Sequence, residues 1–171
     1  APKDPALEHI DALAGVPFKA YPGQDHQAHI TAHLHFMGTN MVRNAPAVGA
    51  AIQKNILEHI SLMAQEQIEL EFREELQKMQ QAAMAMQQNP QMQMQQTPEM
   101  QQAQVQMQLT QRKIDSRKAA LIAEMMEDYM KEETKITSRF GNDPIAMLRA
   151  RELDIRAQDN EAKRKDAEER L

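Results

Sequence analysis

The chain has 171 residues and a formal net charge of −5, with no Cys or Trp, 4 Phe, 2 Tyr, 14 Met and 21 Gln. So few aromatic rings, with a mean hydropathy of −0.68, leave little from which to build a thick globular core; abundant Ala, Leu, Met, Gln, Glu, Lys and Arg point instead to an elongated all-α body. Disulfides and cysteine-ligated metals are excluded; no apolar run approaches the roughly 18 residues of a membrane span and no secretory leader is visible, so a soluble, cytosolic chain without membrane contact is expected.

Residues 5–14 place Leu7, Ile10, Leu13 and Ala14 on one helical face, and Gly15 supplies the stop. Tyr21-Pro22-Gly23 is a turn signal that closes the stretch 16–23. A second helix is predicted from Gln24 or Asp25 to Met37, ended by Gly38. Asn44-Ala45-Pro46 then opens a long helix, since the first turn tolerates Pro.

From Pro46 to Gln88 apolar residues recur at Ile52, Ile56, Ile60, Ala64, Ile68, Phe72 and Leu76, each four residues after the last. At 3.6 residues per turn this stripe drifts by about 40° per step, so other residues must share its contact, with Leu57, Met63 and Met79 placed to do so. Asn89-Pro90 interrupts the pattern, and Thr97-Pro98-Glu99 reads as an N-cap, a first-turn Pro and an acidic first turn. The next helix is predicted over 98–140, with Lys135 and Arg139 near its C-terminus and Gly141 as its stop. Each long helix would span roughly 65 Å. Asn142-Asp143-Pro144 opens a last helix presenting Ile145, Leu148, Leu153 and Ile155, with a frayed end over 161–170. Residues 1–44, 45–140 (interrupted at 89–97) and 141–171 are thus three expected regions: short helices, long helices and a charged C-terminal helix.

Charge is unevenly spread. Residues 112–171 carry 14 basic and 14 acidic side chains, whereas 89–111 carry only Glu99. The balanced tail is a solvated helix pattern and offers no basic patch for tight nucleic-acid binding. Residues 77–111 hold 15 Gln and 7 Met, which suits disorder, a soft-metal site at Met92-x-Met94, or an oligomeric seam in which Met fills irregular gaps and Gln bonds to Gln. The seam is the favoured reading. Ser61, Ser116 and Ser138 lie within helical patterns, and the acidic pairs Glu74-Glu75, Glu132-Glu133 and Glu168-Glu169 lie on charged faces, so no enzyme is expected and no cofactor.

The densest polar cluster is on the second helix, where His26, His29 and His33 fall at i, i+3 and i+7 and share a face. These are the candidates for metal ligation. A zinc-protease motif would place Glu after the first His and a second His three residues on, but Gln27 and Ile30 occupy those places. A structural role at a packed junction with the helix beginning near Pro46 is therefore expected, with no metal.

Tyr21-Pro-Gly-Gln-Asp-His-x-Ala-His-x-x-x-His-x-x-Phe36 resembles a segment near the C-terminus of portal proteins of tailed bacteriophages, especially those infecting marine and freshwater bacteria. The similarity covers about residues 16–60, and the long Gln- and Met-rich helices after it look like the helical barrel that some portals carry beyond the crown. The resemblance implies a structural component of the head-to-tail connector: a homo-oligomeric, dodecameric ring at the portal vertex of the virion, formed in the host cytoplasm, through which the genome is packaged and ejected. Its implied partners are the capsid, the packaging motor and tail adaptor proteins, with DNA passing through the channel without sequence-specific binding. Wing, stem and clip would precede Ala1, and the missing initiator Met fits a C-terminal or processed fragment. Ile52, Ile56, Ile60, Ile68, Phe72 and Leu76 are the expected subunit interface. Two other classes compete: a Met/His-rich metal-handling helical protein, and a coiled-coil scaffold or adaptor.

Overall fold

The computed structural model describes residues 1–93, 97–141 and 144–170, with side-chain surroundings given for all of these except 92–93, 137, 139–141, 144–154 and 157. Among the described residues the chain is all-α, with no strand. The expectations at Met94, Asn142 and Asp143, and the side-chain expectations at Met92, Arg139, Ile145, Leu148 and Leu153, fall outside the described residues.

Local signals set the helix ends. Helix α1 (Pro5–Ala14) is capped by Asp4, whose carboxylate accepts from the Ala6 N–H, and it ends where Gly15 turns left-handed at φ 72°. There the Gly15 and Val16 N–H groups donate to Ala12 and Asp11, satisfying carbonyls that the helix end would otherwise orphan. The Tyr21–Gln24 turn places Gly23 at φ 80°, a position that costs glycine little. Helix α2 (His26–Met37) is capped by Asp25, which accepts from the Ala28 N–H, and a four-residue helix α3 (Asn40–Arg43) leads into α4 (Pro46–Glu71).

The long helix expected over 46–88 is divided at Phe72, whose φ of −113° and ψ of 27° leave helical geometry. Its N–H still donates to Ile68 and its carbonyl still accepts from Leu76, so α5 (Arg73–Gln88) continues the same rod. A 3-10 turn at Pro90–Gln93 follows, then α6 (Pro98–Gly141) and α7 (Pro144–Glu169). Helix α7 is regular through the segment expected to fray. Lys165 pairs with Glu161, Arg164 with Glu168 and Arg170 with Asp166, all at i,i+4 spacing.

Helix α4 is the centre of the fold, packed by α1, α2 and α6. Its four-residue stripe is buried: Ile52, Ile56, Ala64, Ile60 and Ile68 are between 0 and 2 % exposed. The cover comes from the chain itself. Ile52, Ile56 and Ile60 pack with Ala12, Ile30, Leu34 and Tyr129, while Ala64 and Ile68 pack with Ile114 and Leu121, and Phe72 and Leu76 lie partly buried against that second group. The stripe expected to face a neighbouring subunit is therefore an intramolecular core. Its drift is absorbed because α2 covers the beginning and α6 the remainder. Met63 and Met79 join the packing, whereas Leu57 is exposed.

Helix α6 runs back antiparallel along α4, and Arg117 grips Glu71 by two 2.9 Å hydrogen bonds from Nε and Nη2. This exposed pair holds the Glu71 carboxyl down to about 2 and marks the register rather than supplying much stability.

Helix α1 reverses its expected orientation. Leu7, Ile10 and Leu13 are exposed, whereas Glu8 and Ala12 are the residues it buries. Small Ala12 permits close approach to the core, and Glu8 is accommodated by histidines from α2.

Candidate metal centre

Burying a carboxylate in an apolar interior is costly unless charge or hydrogen bonds compensate it. Glu8, only 1 % exposed, meets two imidazoles. Its Oε1 lies 3.1 Å from His29 Nδ1 and its Oε2 lies 3.2 Å from His33 Nε2. His59 of α4 completes a group of four buried side chains, each offering one ligand atom, with all four atoms within 4.8 Å of one another.

The spacing on α2 explains the first half of this arrangement. His29 and His33, one turn apart, face the same side, as their sequence positions predict. His26 is buried on that helix too, but it stands behind His59 rather than beside it. Its Nδ1 is 2.8 Å from His59 Nδ1 and its Nε2 is 3.0 Å from Glu66 Oε1. Glu66 also accepts from the Gly23 N–H at 2.7 Å, and these two contacts hold its carboxyl below the ordinary range.

This relay assigns tautomers. In the tautomer whose Nε2–H donates to the Glu66 carboxylate, His26 Nδ1 is an acceptor and His59 Nδ1 donates to it, which leaves the lone pair of His59 Nε2 facing inward. On the opposite side His33 Nδ1 is 2.8 Å from His9 Nε2, and His9 is itself stacked on Phe36 at 4.1 Å. Each of the two most buried imidazoles thus has its outer nitrogen engaged by another histidine, leaving the inner one for the centre.

Asn55, 1 % exposed, closes the remaining side. With its NH₂ turned inward, its nitrogen lies 2.8 Å from His33 Nε2, 3.1 Å from His59 Nε2 and 3.1 Å from Glu8 Oε2, while its oxygen accepts from the Ala20 N–H at 3.2 Å. Three acceptors converge on a group with two protons. Glu8 Oε1 and His29 Nδ1, though close, are not aligned as a hydrogen bond and have no other partner. A cleft of about 610 Å³, lined by Glu8, Phe18, Lys19 and Lys54 among others, reaches the edge of the cluster.

Burial, reinforced by His29, His26 and His33, lowers His59 to about 3; burial and His33 lower His9 to about 4. Both are neutral at pH 7. An unfolded chain takes up these protons near pH 6.5, whereas the folded chain resists until far lower, so this contribution is complete above pH 6.5 and is lost on acidification. In the presence of EDTA, His59 alone should lower stability by about 1.4 kcal/mol per pH unit between pH 6 and 4, with His9 steepening the fall. Urea midpoints at pH 7, 5.5 and 4.5 provide the measurement; a constant midpoint would show that the buried imidazoles protonate freely in the folded chain.

Of the histidines singled out in the sequence, the structure brings His29 and His33 to the centre and puts His26 behind it. Glu8, Asn55 and His59 were missed. Asn55 and His59 did leave a trace: they are polar, four residues apart, and alternate with the Ile52–Ile56–Ile60 stripe on the most apolar part of α4. Glu8 left none, because it occupies the face of α1 opposite the apolar one. Comparison with protein-family models, with curated proteins and with solved structures gave no match, so the chain's own residues and geometry carry its interpretation.

Proposed function

We propose that the chain is a structural, non-catalytic part of a tailed-phage portal, contributing crown and barrel helices to a homo-oligomeric ring that conducts DNA. The observation that best supports this is how little of the distal hairpin the chain packs for itself. Helix α5 has no buried residue, and residues 98–113 of α6 have none either. Helices in water depend on a packed face for most of their stability. Met84, Val105 and Leu109 are exposed there, within the Gln- and Met-rich stretch 77–111, whose only charges are Lys78 and Glu99 and which therefore repels an identical neighbour little. A closed ring supplies such neighbours on both sides. A Gln-rich inner wall with few cations would let phosphate pass without holding it.

This reading moves the subunit contact from the Ile52–Leu76 stripe to the distal hairpin. The chain should assemble into dodecameric rings by native mass spectrometry and negative-stain electron microscopy. Val105→Asp combined with Leu109→Asp should abolish assembly while leaving the helicity of residues 1–71 intact. A wild-type chain that stays monomeric at high concentration would overturn the proposal.

The metal-handling alternative draws support from the buried Glu8, His29, His33 and His59, but four enclosed ligands fit an ion retained for structure better than one in transit.

A further inference from the structure

We propose that Glu8, His29, His33 and His59 bind one divalent transition-metal ion, of which zinc fits best, and that this ion fastens α1 to α2 and α4. Three imidazole nitrogens and one carboxylate oxygen are a donor set suited to zinc, and four protein ligands saturate its tetrahedral shell, as in structural rather than catalytic sites. The inference is independent of how copies of the chain assemble.

Geometry supports it first. The ligand atoms already lie within 4.8 Å of each other, and a tetrahedral zinc with bonds near 2.05 Å needs them about 3.3 Å apart. Contraction of about 1 Å per side chain reaches that value. All four residues are at most 7 % exposed, and they tie α1, which otherwise buries only Ala12, to α2 and α4, which share an apolar core of their own.

Unsatisfied groups supply the second support. Glu8 Oε1 and His29 Nδ1 are buried without a hydrogen-bond partner, and Asn55 cannot donate to all three acceptors that face it. A dication answers these atoms together: it neutralises the Glu8 carboxylate and accepts the inward lone pairs of the imidazoles.

The third support is the outer layer. Metal-bound histidines are characteristically held by a second hydrogen bond that fixes tautomer and ring orientation, often ending on a carboxylate. His59 has such a chain through His26 to Glu66, and His33 has His9. His26 and His9 are therefore positioning residues for the ion and not ligands.

The test uses the intact chain, stripped with EDTA and then dialysed against zinc chloride. One zinc per chain is expected by elemental analysis, with the melting temperature raised by roughly 5–10 °C at a hundredfold excess over Kd. Cobalt(II) chloride in place of zinc should give the intense visible absorption of a tetrahedral centre. His29→Gln and His59→Gln should each lower zinc affinity at least tenfold, whereas His35→Gln, on the same helix but outside the cluster, should leave stoichiometry and affinity unchanged. Circular dichroism of each variant establishes that it is folded, and the wild-type cobalt spectrum stands whether or not a variant folds. Absence of stoichiometric zinc, an octahedral cobalt spectrum, or unchanged affinity in a folded His59→Gln chain would each overturn the proposal.

Discussion

Replacing Ile60 and Ile68 together by Asp should unfold the chain rather than merely dissociate it. Both side chains are at most 2 % exposed within a single subunit. One packs with residues of α1, α2 and α6, the other with α6. Each substitution removes a well-packed aliphatic group and puts a carboxylate into an apolar cluster, costing at least ~4 kcal/mol. The sites are eight residues apart, roughly 12 Å along the helix, so their effects should be close to additive. Their sum rivals the whole stability of an ordinary domain, about 5–15 kcal/mol. Far-UV circular dichroism should show helicity lost without denaturant. An inter-subunit stripe predicts the opposite, a monomer that keeps its helices, and that result would remove α4–α6 pairing as the core.

The second large effect is expected at His33, which is fully buried and touches Glu8, Asn55 and His9. In His33→Ala, Glu8 and Asn55 lose a polar partner inside the protein and a cavity opens between three helices. Leaving buried polar groups unpaired costs about 1–3 kcal/mol each, more where a charge is involved. The damage should concentrate on α1, because Glu8 is one of only two residues it buries. Hydrogen exchange of the α1 amides should accelerate by about 100-fold, equivalent to ~3 kcal/mol of local opening, while the central turns of α4 keep most of their protection. Unchanged protection in α1 would mean that Ala12 and the loop at 16–24 dock that helix without the histidine cluster.

Helix positions were legible in the sequence because their signals are local. Asp4 and Gly15 bound α1, Asp25 opens α2, Pro46 sits in the first turn of α4, and Thr97 accepts from the Met100 N–H at the start of α6. A cap acts within one turn, so neighbouring residues suffice to read it. The four-residue stripe on α4 likewise declared that one face is buried. Its partner could not be read there, because an apolar row packs equally well against the same chain or another copy; only the antiparallel return of α6 decided for the former.

The same limit explains α1, where apolar periodicity indicated one face and the fold buried the other. A carboxylate is an unfavourable core residue until compensating groups arrive, and those that reach Glu8 come from α2. His9 meets His33 across 24 residues of chain, Asn55 meets His33 across 22, and His26 meets His59 across 33. Spacing along one helix could place His29 and His33 together, since 3.6 residues return the chain to the same face. Bringing Glu8 and His59 to them required three helices to close on one point, and that depends on packing angles and helix register that no local pattern encodes.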